Sequence, residues 1–499
     1  MPDWKLRQGD DLFRRLREEE CFYADKTPFI GEFLATGPAK GTIITRPHKF
    51  GATLNLTMMR DFFDISQDSR AIFDGLAISE DKELCVKWMN QYPTVYANFW
   101  TYGGTDFEDA LMWFNAHVTN ACDKFLFLLK STAVDKEDRL FLKKIAFSED
   151  RDFHPDFLKV LCRALYAHYG RRVILLVDSY DDAMFYAQRD GQYREMAKAA
   201  NSLFDAALND NEYLEFALLK GSLPVTGASG LDGFANCACY DISDKLFADK
   251  FGFTSEEVDD LLARTGLTHE KETIKEWYGG ICFGDMEMYS PRDILGYLLD
   301  VFDGRRGDPR RFWVKTFVNA AIDSMCHNKA THLGIQLESL LSGGSVEAVI
   351  ADTFACNNPF EDGEEYLWSL LYHLGHLAKA CPKQEKPAGL HPGYKFSLVV
   401  PNRQLRNLFA IPITNWLYSV RRSDTWEFCE VFWANDAALL ARMMEKMLDE
   451  NEGMYEACGM FLYYFLYWLF DSCSKGYAVQ WEKIRRTEAD IVVYNREDR

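Results

Sequence analysis

The chain has 499 residues, which at roughly 100–200 residues per domain makes room for two to four domains and excludes a single small binding module. Asp and Glu outnumber Lys and Arg by 76 to 56, a net charge of −20, which excludes a surface that tracks nucleic-acid phosphates along its whole extent. With 48% apolar residues the composition is that of a globular protein and not of a disordered one.

The N-terminal stretch MPDWKLRQGDDLFRRLREEE is charged throughout. It has neither the apolar core of a secretory signal nor the acid-poor character of a transit peptide, so the expected location is cytoplasmic. Apolar strand-like runs then alternate with amphipathic helix patterns, the signature of a parallel sheet with crossover helices. The strands predicted are Gly41–Thr45, Thr94–Phe99, Val173–Val177 and Glu215–Val225. The helices predicted between them are Thr53–Phe63, Phe107–Leu129, His154–Tyr169 and Gln192–Ala207. Of the 13 cysteines only Cys237 and Cys239 lie close together, at a spacing that fits no common zinc site, so all are read as reduced, mostly buried thiols. From about Thr254 to Leu377 the pattern reads as helices broken by short loops. Within it, His373 and His376 are too close in sequence for the i, i+4 metal spacing and read as core histidines. The tail from about Asp436 reads as two helical stretches followed by short strands at Gly476–Trp481 and Ala489–Tyr494. The longest apolar run, Ala457–Phe470, falls short of the roughly 20 residues that span a bilayer. It reads as a buried helix, and no membrane association is expected.

Chemistry concentrates where the first strand meets the first long helix. Gly41–Thr45 is followed by Arg46-Pro47-His48-Lys49-Phe50-Gly51-Ala52-Thr53 and then an apolar helix. That is the position of a phosphate-binding loop, in which backbone N–H groups at a helix N-terminus cradle phosphates, a Lys reaches the β/γ-phosphates and a Ser or Thr hydroxyl holds Mg²⁺. Gly51 and Thr53 stand where the last Gly and the Thr are needed, whereas Ala52 occupies the Lys position. Residues 1–60 hold ten Lys/Arg against eight Asp/Glu, a local balance of +2 that still favours an anion there.

Ordered blocks along the chain carry a resemblance. They are Phe22–Leu34, Arg46–Asp64, Tyr92–Phe99, Val173–Met184, Val225–Gly230, Phe251–Val258, Ile274–Leu298, Phe312–Thr316, Trp368–Leu377 and Val399–Asn402. In this order the chain resembles the AAA-ATPase-like family, whose members often end in a restriction-endonuclease-like domain. The fold this implies is α/β: a P-loop NTPase-like parallel sheet with crossover helices, a helical lobe, and a truncated restriction-endonuclease-like α/β end. The domain limits expected are a P-loop domain over 1–255, a helical lid or second lobe over 256–360, a helical connecting region over 361–435 and a truncated PD-(D/E)XK nuclease-like domain over 436–499.

The resemblance also shows what is missing. The family loop reads R-P-R-R-F-G-K-[ST]; here Arg46, Pro47, Phe50, Gly51 and Thr53 match and the Lys is lost at Ala52. The family places D-E-Y-D after the third strand, with the Asp assisting Mg²⁺ and the Glu polarising water; this chain reads Asp178-Ser179-Tyr180-Asp181. A basic residue expected near Gly230 is absent, and Trp277-Tyr278-Gly279-Gly280 departs from W-Y-D-G or W-Y-N-G. Nucleotide binding is assigned to Arg46, Lys49, Gly51, Ala52 and Thr53, with Asp178 and Asp181 as vestigial catalytic carboxylates and Asp178 as a vestigial metal position. Lys49 and His48 are either substitutes for the missing charge or residues of the loop surface. ATP and Mg²⁺ binding is expected to be weak or absent, and hydrolysis negligible.

A second family site falls at the end, where Asp490 matches the metal-binding Asp of the nuclease fold. The chain stops at Arg499 before a Glu-x-Lys strand, so Asp490 is read as vestigial, no DNA cleavage is expected, and nucleic acid enters by resemblance alone. An unpaired strand edge over 477–499 predicts self-association or a protein partner, the alternative being a tail that frays and an apolar helix packed against its own lobe. The chain is thus read as a pseudo-ATPase that works by binding. The alternative is an NTPase coupled to nucleic-acid processing, with its charges re-routed through Lys49, Asp181 or Asp182.

Overall fold

The computed structural model describes residues 4–9, 11–99, 123–147, 153–184, 193–226, 231–304, 343–354, 364–383, 394–409, 436–449, 477–482 and 490–495, with scattered positions in 108–116, 309, 336–340 and 428–434. By internal contacts the chain divides into a first unit, 1–312 with 349–377 and 381–395, and a second, 313–348 with 378–380 and 396–499.

The first unit is built on a five-stranded parallel sheet: β1 (Gly41–Thr45), β2 (Thr94–Asn98), β3 (Val173–Asp178), β4 (Leu214–Gly221) and β5 (Cys237–Tyr240), in the spatial order β2-β3-β4-β1-β5. Every residue of β1 and β3 is buried. Their continuous apolar runs follow from this, because a parallel sheet is covered by helices on both faces. The crossovers include α1 (Ala52–Phe63), α2 (Phe157–Tyr169) and α3 (Tyr193–Leu208). The α/β fold class and the four strands and three of the helices read from periodicity are therefore present, to within a few residues at their ends.

Four readings need correction. The strand expected over Glu215–Val225 stops at Gly221, because the next two backbone N–H groups, of Ser222 and Leu223, donate to Asp181 (both 2.8 Å) instead of to a neighbouring strand, and Pro224 follows. Of the helix expected over Phe107–Leu129, the described positions from 108 to 116 are helical, but its last part is a 3-10 turn over Leu126–Lys130. Cys237 and Cys239, read only as thiols, belong to β5, a four-residue strand too short for alternation to announce. The segment from Thr254 onward is not helical throughout. It contains the antiparallel strands β6 (Phe253–Thr254), β7 (Ile281–Phe283) and β8 (Met286–Tyr289), with β7 and β8 joined through Gly284-Asp285, the two-residue connection that a tight hairpin needs.

The family-like blocks meet in space. Lys26 Nζ reaches Glu257 (2.6 Å) and the Asp249 carbonyl (2.7 Å), and Glu257 also closes the capping box of α4 (Ser255–Thr265) on Thr254. Asn55 on α1 donates to the Lys250 carbonyl at 2.7 Å. The N-terminal segment, the loop helix and the Phe251–Val258 block thus form one packed assembly. Of the seven described cysteines only Cys21, Cys162 and Cys282 are buried, so the expectation of mostly buried thiols does not hold among them.

In the second unit a helix runs over Ala437–Asp449, and Tyr477–Glu482 pairs antiparallel with Asp490–Asn495. Both strands expected in the tail are present. The run Ala457–Phe470 lies outside the described residues. Among the described residues no helix is long and apolar enough to cross a membrane.

Candidate functional site

β1 delivers the chain to the C-terminal edge of the sheet, the edge at which open α/β folds bind ligands. The loop runs from Arg46 to Gly51 and α1 starts at Ala52. Lys49 and Gly51 both have left-handed backbones, φ +75° and +72°. Two such residues within three turn the chain sharply and leave Gly51 as the helix N-cap, a conformation glycine adopts without strain. No side chain caps this helix, so its first N–H groups remain directed at whatever lies beyond the loop.

Arg46 is fully buried. Its guanidinium donates to the carbonyls of Thr45 (2.8 Å), Asp241 (2.7 Å), Tyr240 (3.2 Å) and Leu246 (3.3 Å) and lies over the Phe251 and Phe283 rings. Burial pushes its pKa down to about 10, with Asp241 and Asp244 opposing. Arg46 therefore ties the loop to the segment after β5. Ala52 is buried and Thr53 half-buried at the helix start. Lys49 is half-buried; desolvation lowers its pKa to about 8 against the pull of Asp293.

Strand register assembles a polar row that no stretch of sequence contains. Asn98, Asp178, Lys220 and Ile44 are neighbours across β2, β3, β4 and β1, and residues paired in this way share a face. This is the face under α1, since Arg60 of α1 lies over the Tyr96 ring and the Tyr96 hydroxyl donates to Asp178 Oδ2 at 3.4 Å. Lys220 is only 5% exposed, and its ammonium stands 3.8 Å from Asp178 Oδ1, too far for a hydrogen bond. Asp178 Oδ1 is buried without a hydrogen-bond partner among the described residues.

Beyond β3 the chain turns at Ser179, buried and left-handed at φ +56°. Tyr180 is buried and its hydroxyl donates to the Leu223 carbonyl (2.9 Å) while accepting from the Val225 amide (3.0 Å). Asp181 Oδ2 accepts the Ser222 and Leu223 amides, and the other oxygen of this buried carboxylate is unpartnered. Asp182 is buried, 3.9 Å from the half-exposed His48 ring. Burial raises the pKa of Asp181, and burial together with the Asp181 charge raises that of Asp182 well above the usual carboxylate range. Desolvation, then Lys220 and Lys49, lower the pKa of His48, whose Nε2 lies 3.0 Å from Ser222 Oγ.

The sequence-predicted residues thus form two groups at one edge: Lys49, Gly51, Ala52 and Thr53 around the helix N-terminus, and Asp178 and Asp181 at the ends of β3 and its turn. Lys220 was not singled out by sequence; its one signal is a Lys that ends the apolar run Phe216–Leu219. Residues 227–230, with Gly230, lie outside the described residues. Asp490 opens the second strand of the C-terminal hairpin, in register with Glu482. His373 and His376 are buried, the former at 3.2 Å from the Ala351 carbonyl.

A nucleotide with Mg²⁺ fits this donor set. An uncapped helix N-terminus and a buried ammonium suit phosphate oxygens, and the unpartnered Asp178 Oδ1 suits a cation that phosphates already coordinate, which needs only one or two carboxylates. Among the described residues no group of three or more His, Cys, Asp or Glu forms a metal site of protein ligands alone.

Residues 7–229 match the family model described as predicted AAA-ATPase. The chain is also similar to an uncharacterized protein in the vnfD 5′ region of Azotobacter chroococcum mcd 1, 25% identical over 408 residues, covering 81% of this chain and 68% of that protein. No solved structure matches.

Proposed function

We propose that this chain, which matches the family model described as predicted AAA-ATPase over residues 7–229, is a pseudo-ATPase of that family: it holds a nucleoside triphosphate at the Arg46–Thr53 loop without efficient hydrolysis. The observation that carries the reading is the contrast within the site. The uncapped N-terminus of α1 and the row under it suit a bound triphosphate, but Ala52 brings no charge to the helix start and Ser179 stands where a water-activating carboxylate is needed. Asp178 would hold Mg²⁺, which would supply neutralisation of the phosphate charge. Arg46 holds the loop in place through its carbonyl contacts, so that the first α1 N–H groups would receive the phosphates. Each missing charge-stabilising group costs about 10²–10³ in rate, so losing two leaves binding as the useful event. A protein that binds without turnover acts through the partner it contacts, here a protein or a second copy of the chain, in the cytoplasm.

The second reading, a working NTPase, is favoured by one observation: Asp182, with its raised pKa and His48 at 3.9 Å, has the character of a general base. Calorimetric titration of the full chain with ATP and Mg²⁺ tests the first reading. Saturable heat with ATP is expected, and its absence at millimolar nucleotide overturns it.

A further inference from the structure

We infer that Lys220 supplies the ammonium that the loop lacks at Ala52, reaching the terminal phosphates of a nucleoside triphosphate from β4 instead of from α1. The inference rests on the nucleotide-site reading above and names the residue that reading leaves out.

Three observations lead to it. The first is place. Lys220 pairs with Ile44, two residues before the loop, and the next residue, Gly221, accepts the Arg46 amide at 3.0 Å. Its strand lies between the strand that feeds the loop and the strand that ends in Asp178, so it is equidistant in register from the phosphate side and the cation side of the site. The second is face: Lys220 and Asp178 share the side of the sheet that α1 covers, with the N-terminus of α1 at the same edge. The third is an unmet need. A lysine this deeply buried calls for hydrogen-bond acceptors on its three donors, yet its ion pair with Asp178 is 3.8 Å long, beyond hydrogen-bond distance, and Asp178 Oδ1 is itself unpartnered among the described residues. Phosphate oxygens supply what is missing.

The competing account is that Lys220 only balances those carboxylates. The two differ in which part of the ligand is felt. Titration calorimetry compares ATP and AMP, each with Mg²⁺, on wild type, on Lys220→Met and on Lys220→Met with Ala52→Lys. The inference predicts that Lys220→Met weakens ATP about 10- to 100-fold, the scale of a lost hydrogen bond to a charged group, with AMP changed less than threefold. Ala52→Lys, which returns an ammonium to the loop, restores most of the ATP affinity. Equal ATP affinity in wild type and Lys220→Met overturns the inference while the nucleotide site stands, as does an equal loss for ATP and AMP. Absence of ATP binding in wild type overturns both. If the Lys220→Met chain does not fold, the same comparison is made between Asp178→Asn and Asp178→Asn with Lys220→Met, which leaves no uncompensated member of that pair.

Discussion

The two ends of the site differ in how they are held. At the loop, Gly51 is constrained by its backbone alone: a Cβ there meets nothing within 4 Å, and only φ +72° asks for glycine. At the end of β4, Gly221 is constrained by its neighbours: a Cβ there falls 2.3 Å from Tyr180 Cε1 and 2.4 Å from Asp181 Oδ1. The loop is a shape kept open toward a ligand, and the strand ends are a packed block in which charged groups are locked. If Lys220 takes the place of the loop lysine, the ammonium of the site stands at the locked end and not at the open one.

Substitutions can break or sharpen that contrast. The largest effect is expected for Gly221→Ala, because the buried Tyr180 ring is fixed through its hydroxyl and cannot yield. A loss of about 3 kcal/mol, the upper range for overpacking, is expected in urea denaturation; a loss under about 1 kcal/mol would show the block to be soft. Next comes Asp181→Ala, which strips two buried amides of their acceptor and is expected to cost about 2–3 kcal/mol. Asp181→Asn, which retains an acceptor oxygen, should cost clearly less.

A third test uses pH. The carboxyl of Asp182 is raised by burial first and by Asp181 second, so the folded chain holds a proton that the unfolded chain releases. The stability this contributes is fully present below the ordinary carboxylate pKa of about 4 and is lost as pH rises toward the folded value. Asp182→Asn removes that slope. Urea midpoints of the two proteins should therefore diverge in favour of Asn between pH 4 and pH 8, and parallel curves would place the Asp182 carboxylate in an ordinary polar setting. The smallest effect belongs to Gly51→Ala, expected to cost about 1 kcal/mol as the penalty of a left-handed Ala, with no clash to add.

The sheet and the loop were legible because each is local. Runs such as Val173–Val177 announce a buried strand by themselves, and Gly41–Thr53 carries strand, turn and helix start in one stretch. The row Asn98–Asp178–Lys220 was not legible, since its members come from three strands and meet only through register. Lys220 looks in sequence like the charged end of an apolar strand, which is its commonest meaning. Arg46 was assigned to the ligand from its place in the loop, and only the fold shows four carbonyls gathered around its guanidinium. Strands of two to four residues, β5 to β8, are shorter than the period that would reveal them.

The central claim, a retained site without efficient turnover, is tested most directly by single-turnover release of the γ-phosphate from Mg²⁺-ATP, measured on the wild-type chain and on Asp178→Ala at protein concentrations that saturate the nucleotide. The account predicts the same near-background rate for both. A wild-type rate above about 1 s⁻¹, within the ordinary enzyme range, that disappears in Asp178→Ala would contradict it.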